Sequence, residues 1–349
     1  MDNFAVVVHP LDLGQHVERF YPGVAKVLPA PLLRLLLRRR PPVLLSPIRG
    51  VRSQASDSRA QGWLLASPLT ADQTFRLPPQ TVYDKAVQVG TLAQQHGAGI
   101  LGLGALSSAV GDRGVTIGQR LNMPVTTGAS LAVGFAVEAI TQASREQELD
   151  LEHAVVAIVG ASGTLGLALA EMLAPLVGEL ILFGRREIRV SQARAQAEAA
   201  GAEHVRVSTE IGLLTEADIV LTVTASLRPV LRSAHFKSGA IVCDMAVPPD
   251  VDPSVAEERP DVLVISGPVV EIPGTVDFGF DLGVPPGHAR AGMVEAIVLA
   301  LEGRYESYSM GQRIHLGQVE EIMAIARRHG FRLAQRTRPD PEPDSAGGR

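Results

Sequence analysis

Hydrophobic and polar positions change period along this chain, and the change divides it. From residue 153 short, nearly continuous apolar runs alternate with helical stretches. The runs lie at 155–159, 180–183, 219–223, 241–243 and 262–265, with helices expected over 165–177 and 192–200. Apolar runs without polar alternation predict strands buried on both faces, as in a parallel sheet covered by helices. Before residue 153 the texture is mixed. Strand-like runs occur at 4–8, 63–66 and 98–103. Residues 78–97 predict a helix, since Val82, Ala86, Val89, Leu92 and Ala93 recur at helical spacing and Gly97 stops it. Segments 53–62 and 104–114 predict loops, 130–142 a helix, and its polar continuation to Asp150 a domain junction. Helices follow over 288–301 and 316–329. The Pro-, Asp- and Gly-rich stretch 338–349 predicts a disordered tail.

Composition narrows the class. The 349 residues are 46% hydrophobic and 20% charged, which excludes a disordered chain. The net charge of -5 gives no global field for nucleic acid, so any anion site must be local. Cys243 is the single cysteine, which rules out an intrachain disulfide or a cysteine metal cluster and suits a reducing cytoplasm. The apolar runs fall far short of the ~20 residues of a membrane span. The start Met-Asp-Asn lacks the basic and apolar regions of a signal peptide. The expectation is a cytoplasmic protein.

The clearest chemical motif follows the first of the later strands: Gly160-Ala-Ser162-Gly163-Thr164-Leu165-Gly166. A buried strand entering a glycine-rich turn that opens a helix is built to approach a pyrophosphate, which the free helix N–H groups and dipole attract. Its spacing, G-x-x-G-x-x-G, is a variant of the dinucleotide fingerprint, and the strand-turn-helix context supports it. NAD-binding sheets place an acidic residue about 20 residues on, for the ribose hydroxyls. Here the next strand ends in Gly184-Arg185-Arg186, and Glu187 comes only afterwards. Two guanidiniums suit a 2′-phosphate, so NADP(H) is the expected cofactor. Thr224, Ala225 and Met245, at later strand ends, are further candidate cofactor contacts.

Several stretches resemble one family, the long-chain acyl-[acyl carrier protein] reductases and related bacterial dehydrogenases. They are 101–108 (LGLGALSS), 126–128 (TTG), 160–166, 217–220 (ADIV), 267–271 (GPVVE), 295–303 (EAIVLALEG) and 328–331 (RHGF), in family order over nearly the whole chain. The resemblance implies a central NADPH-binding domain, a substrate region built from the N-terminal segment and the C-terminal helices, and reduction of an acyl thioester to an aldehyde. It also implies a cysteine that takes the acyl group, as a thiolate readily does. The matching position here is Gly292, so that nucleophile is absent. Ala129 likewise stands where relatives tend to carry Asn.

The expected fold is therefore α/β: a Rossmann-type doubly wound parallel sheet with a second α/β substrate domain. The expected boundaries are 1–128 for the substrate domain, 129–152 for a connecting helix and 153–285 for the NADP-binding domain. Residues 286–335 are expected as helices packing back on the substrate domain, and 336–349 as the tail. Without the cysteine, hydride would reach a thioester, aldehyde, ketone or imine carbon directly. Ser107, Ser108 or Thr127 would polarise its oxygen, and Glu271 or Glu295 would move a proton. The plainer alternatives are loop capping for the serines, an N-cap role for Thr126, Thr127 and Ser130, and ion pairing for the glutamates. His9, ending the first strand, is a lone general-acid candidate. Cys243 sits in an apolar strand and reads as core. Alternative activities are an amino-acid or hydroxy-acid dehydrogenase, or a non-catalytic NADP-binding protein. Finally, Arg34, Arg38, Arg39 and Arg40 lie on a leucine-rich helix bracketed by prolines. They form either a solvated face or a docking surface for an acidic acyl carrier protein, with the leucines packed in the fold or touching an acyl chain or membrane surface.

Overall fold

A computed structural model of the protein describes residues 2–10 and 29–335. The expected tail lies outside the described residues. The first unit runs β1 (Asp2–Val8), α1 (Ala30–Arg39), β2 (Val43–Arg52), β3 (Arg59–Ala66), α2 (Ala71–Arg76), α3 (Pro79–Gln95), β4 (Ile100–Gly102), α4 (Gly104–Ala109), α5 (Val115–Arg120) and β5 (Val125–Thr126). A long helix, α6 (Ala129–Glu146), leads out of it. The second unit is β6 (Val155–Val159), α7 (Thr164–Leu173), β7 (Glu179–Phe183), α8 (Glu187–Ala199), β8 (Val205–Ser208), β9 (Ile219–Thr222), β10 (Ile241–Asp244), α9 (Val255–Glu258) and β11 (Leu263–Ile265). The chain then returns through β12 (Val269–Glu271), β13 (Gly274–Asp277), β14 (His288–Arg290), α10 (Ala291–Glu302), α11 (Leu316–His329) and β15 (Arg332–Leu333).

The second sheet has the order β11-β10-β9-β6-β7-β8, with every pair parallel. The order reverses between β6 and β9, the doubly wound arrangement of dinucleotide-binding sheets. The first sheet, β13-β2-β3-β1-β4-β5, is parallel across β3, β1, β4 and β5 and antiparallel toward β13. The protein is thus a Rossmann-type α/β fold with a second α/β unit. Strand β13 lies inside the 153–285 span yet pairs with β2, so that stretch contributes an edge strand to the first sheet.

Helix α6 ties the units together, packing on α7 and β10 of the second unit and on α10 and α11 of the return segment. Its Leu131, Phe135 and Ile140 are fully buried. Helix α10 lies across β1 and β4, with Val294 through Ala300 buried on nearly all sides. A helix apolar around its whole circumference needs neighbours on every face, and α10 has them.

Local details differ from expectation where neighbours outweigh composition. Strand β3 begins at Arg59, so the loop expected over 53–62 is shorter. The partner strand β2 was not legible because Pro47 and Gly50 interrupt it; its register shifts between Leu44 and Ser46 and between Ile48 and Val51. Edge strand β8 has the exposed Arg206 and no apolar run. The helix expected over 165–177 stops at Leu173. The segment expected as a loop over 104–114 holds a short helix, α4, which buries Leu106. Among the described residues no helix is long and apolar enough to cross a membrane.

Candidate functional site

The glycine loop turns as tightly as its sequence requires. Gly160 has φ +92, and a Cβ there would lie 3.1 Å from the Val223 carbonyl, so the loop nestles against the end of β9. A Cβ at Gly166 would sit 2.4 Å from Gly160 O, which only glycine permits. Gly163 is the N-cap of α7 and donates its N–H to Gly160 O at 2.9 Å. The amides of Thr164, Leu165 and Gly166 then form the first turn, whose N–H groups have no acceptor within the helix. This cradle of backbone donors at a helix N-terminus fits a pyrophosphate. Ser162 is exposed, and its Oγ lies 3.6 Å from where a Gly184 side chain would begin. Arg185 and Arg186 follow directly at the end of β7, both exposed. The Thr164 hydroxyl points elsewhere, donating to Gln312 O at 3.0 Å and so fastening the loop before α11 to the cofactor unit.

Across the sheet reversal, Thr224 is held by a buried carboxylate rather than left free. Asp250 is fully buried and accepts from the Thr224 amide at 2.9 Å, the Thr224 hydroxyl and the Thr222 hydroxyl. Its own amide donates to Asp244 at 2.8 Å, as does that of Val251 at 2.9 Å. Burial, together with the nearby Asp250 charge, pushes the Asp244 carboxyl up to about 6 despite those amides. The Arg290 guanidinium, bonded to Ser266 O at 2.6 Å, supplies an opposing charge to Asp244. Ala225 is exposed and Met245 half-buried beside this network. Asp244, Asp250 and Arg290 were not singled out from sequence. The available signal was an aspartate ending an apolar strand, as Asp244 does.

Three of the expected site positions, Thr127, Gly292 and Glu295, come together where α6 and α10 begin. Gly128, the N-cap of α6, has φ +78, and a Cβ there would fall 1.8 Å from Gly292 O. The Thr-Thr-Gly segment therefore touches the backbone of the first turn of α10. At Gly292 itself a Cβ would meet nothing nearer than Gly128 O at 3.9 Å and the Ala132 Cβ at 4.0 Å. The position is half-exposed and has room for a side chain.

Glu295, one turn on, is fully buried. It accepts from the Thr126 hydroxyl and from the Leu131 amide at 2.8 Å, capping α6 from another element. Burial raises its carboxyl above the usual range, opposed by hydrogen bonds from Thr126, Ser309, Leu131 and Gly128. The Thr127 hydroxyl donates to Ser309 O at 2.5 Å, and Ser309 in turn bonds Ser130 at 2.6 Å. Thr126, Thr127, Ser130, Glu295 and Ser309 form one buried polar lock joining the end of the first unit, the start of α6 and the return segment.

Ser107 is buried in α4, and its Oγ lies 2.7 Å from Nε2 of His9 at the end of β1. Burial lowers the His9 imidazole to about 4. Ser108 is half-buried and donates back to Ala105 O at 3.0 Å. Glu271 is exposed on β12, opposite His288 and Arg332, and is no part of the lock. Cys243 is fully buried, and burial with the Asp244 charge pushes its thiol up to about 12, as suits a core residue. On α1, Leu33 and Leu37 are buried, while Arg34, Arg38, Arg39 and Arg40 are exposed together with Leu32 and Leu35. Among the described residues no group of three His, Cys, Asp or Glu side chains could hold a metal ion.

Comparison with known proteins finds several to which the chain is similar. The shikimate/quinate 5-dehydrogenase family model matches residues 141–265, which hold the glycine loop. The chain is 28% identical over 282 residues to the aminotransferase PigE of a Serratia species, covering 80% of this chain but 33% of PigE, about a third of its length. It is 26% identical over 267 residues to the long-chain acyl-[acyl-carrier-protein] reductase of Synechococcus elongatus, covering 72% of this chain and 76% of that one. Homologues thus include a member of the family that the sequence resembles. Among solved structures, the L-tryptophan dehydrogenase of Nostoc punctiforme aligns over 94% of this chain and 80% of its own, at 13% identity and TM-score 0.42. The iminosuccinate reductase of Paracoccus denitrificans, solved with NAD+, aligns over 57% of this chain and 63% of its own, at 13% identity and TM-score 0.33.

Proposed function

We propose that this protein is an NADPH-dependent reductase of an acyl thioester, aldehyde or related carbonyl or imine, working without an acyl-cysteine. The observation that carries the reading is Gly292. It stands in the first turn of α10, against Gly128, with room for a side chain at van der Waals distance from Gly128 and Ala132. NADPH, when bound, supplies a hydride to the electrophilic carbon. The chain's part is to hold the cofactor and the carbonyl. The glycine-loop amides take the pyrophosphate, while Arg185 and Arg186, exposed where an NAD-binding sheet would carry an acid, take the 2′-phosphate. Ser107 donates to the carbonyl oxygen as charge develops there, and the lock around Glu295 fixes the helix start against which the substrate lies. The exposed arginines of α1 support a carrier-bound substrate, because an acidic carrier would be steered to them.

Nicotinamide oxidation with a panel of acyl thioesters, aldehydes, imines and keto acids, with NADPH and NADH in parallel, tests this. Turnover of thioesters or aldehydes with NADPH is expected. Turnover of keto acids alone would instead identify a small-acid dehydrogenase. Tight NADPH binding with turnover of nothing would identify a non-catalytic NADP-binding protein.

A further inference from the structure

His9 and Ser107 make a buried polar contact at the carboxyl ends of β1 and β4, and the reading above gives its histidine no purpose. These are adjacent parallel strands, and ligands of α/β sheets bind at such ends. The contact is built by the backbone. His9 directly follows β1 and precedes Pro10, a position that disfavours helical backbone. Gly104 opens α4 with φ +69, and a Cβ there would fall 2.3 Å from Val7 O and 3.5 Å from His9 Cε1. Only glycine lets α4 descend onto β1, and that descent brings the Ser107 Oγ to 2.7 Å from His9 Nε2. The same region adjoins the first turns of α10: α4 packs on α10, and Gly102 meets Ala296, one turn beyond Gly292.

We propose that His9 is a positioning residue that donates its Nε2–H to the Ser107 Oγ, leaving the Ser107 proton directed at the substrate carbonyl oxygen. The inference rests on the reductase reading and adds to it the group that aims its oxyanion donor. The geometry alone allows two arrangements. Either Ser107 gives its proton to a bare Nε2 and is spent as a donor, or Nε2–H gives to Ser107 and the serine proton stays free. Only the second leaves Ser107 able to polarise a carbonyl, because a hydroxyl has a single hydrogen to donate. Burial keeps the ring neutral at pH 7, so it carries one N–H and its placement is decisive. No proton is transferred in this role. The imidazole fixes direction, and the serine stabilises the charge that hydride addition puts on oxygen.

The test has a structural and a kinetic arm. Ring-15N-labelled histidine NMR of the full chain, with His9 assigned by its loss in His9→Gln, reads the tautomer without any turnover. The proton is expected on Nε2, and a proton on Nδ1 overturns the proposal even if the reductase reading stands. Kinetically, Ser107→Ala is expected to lower kcat by about 100-fold, the scale of one lost oxyanion donor. His9→Ala should lower it by a comparable factor with KM and NADPH affinity unchanged. His9→Gln, whose amide N–H reaches the same oxygen but cannot titrate, should recover most of that loss. The double alanine variant should be no slower than Ser107→Ala. A His9→Gln variant as slow as His9→Ala, or losses that multiply in the double variant, overturns the proposal. A wild-type protein that turns over no carbonyl overturns the reductase reading instead, and the tautomer then decides whether the aiming contact exists.

Discussion

Replacing Gly292 by cysteine probes the central claim, that this site receives an acyl carbonyl but lacks the group to hold it covalently. The Cβ would meet its nearest neighbours at 3.9 and 4.0 Å, ordinary van der Waals contact, and the backbone there is not in the left-handed region. The added Cβ therefore carries no steric penalty. The substitution also removes a glycine from a helix, so stability should stay within about 0.5 kcal/mol of wild type. Residue 292 is the second helical residue after the N-cap Arg290, where N–H groups and the dipole favour a thiolate. A fall in thiol pKa from about 8.5 to about 7 raises the thiolate fraction at pH 7.5 from roughly 10% to roughly 75%. The native Cys243 gives a clean background, being fully buried with its thiol pushed up to about 12. After incubation with acyl thioesters, intact-mass spectrometry should show one acyl adduct on Gly292→Cys and none on wild type, and NADPH should discharge it. A variant that melts like wild type and reacts with iodoacetamide, yet is acylated by no thioester, would refute the acyl-binding reading.

Other outcomes follow from contacts already described. Replacing Arg185 or Arg186 by alanine should weaken NADPH binding by about 1.5–3 kcal/mol and leave NADH unaffected, measured by fluorescence titration; equal loss for both nucleotides would remove the 2′-phosphate assignment. Glu295→Ala strips the Leu131 amide and the Thr126 hydroxyl of their buried acceptor and should cost about 3 kcal/mol in urea unfolding; an unchanged midpoint would show that the lock contributes little. Stability against pH should expose two opposed groups. Asp244, raised to about 6 from 3.8, binds its proton more tightly when folded, so its contribution falls as pH rises from about 4 to 6. His9, lowered from 6.5 to about 4, binds its proton more tightly when unfolded, so its contribution rises from about pH 4 to 6.5. Compared with wild type, Asp244→Asn should therefore gain stability more steeply with pH in that window and His9→Gln less steeply, by up to about 1.4 kcal/mol per pH unit. Parallel curves for all three proteins would mean that neither group titrates as its burial implies.

What the sequence determined by itself was local. Strands β6, β7, β9 and β10 were legible because a sheet buried on both faces needs unbroken apolar runs, and the turn at Gly160–Gly166 because Gly160 and Gly166 stand where a side chain would be strained or would clash. Arg185 and Arg186 were legible by their distance from that turn, and Gly292 by its place in a helix whose other residues match the resembling family. Tertiary structure decided the contacts between distant segments. Strand β2, broken by Pro47 and Gly50, exists because β3 and β13 pair with it on either side. Glu295 becomes the cap of α6 only when α10 crosses the sheet, and Thr164 gains Gln312 O from 148 residues away. His9 and Ser107 stand 98 residues apart in the chain and 2.7 Å apart in space. Periodicity and glycine spacing encode the conformation of neighbours in sequence. Which buried acceptor satisfies which donor is fixed only when the two sheets and α6 pack, since the cost of leaving a buried polar group unpaired is paid by whichever segment lies closest.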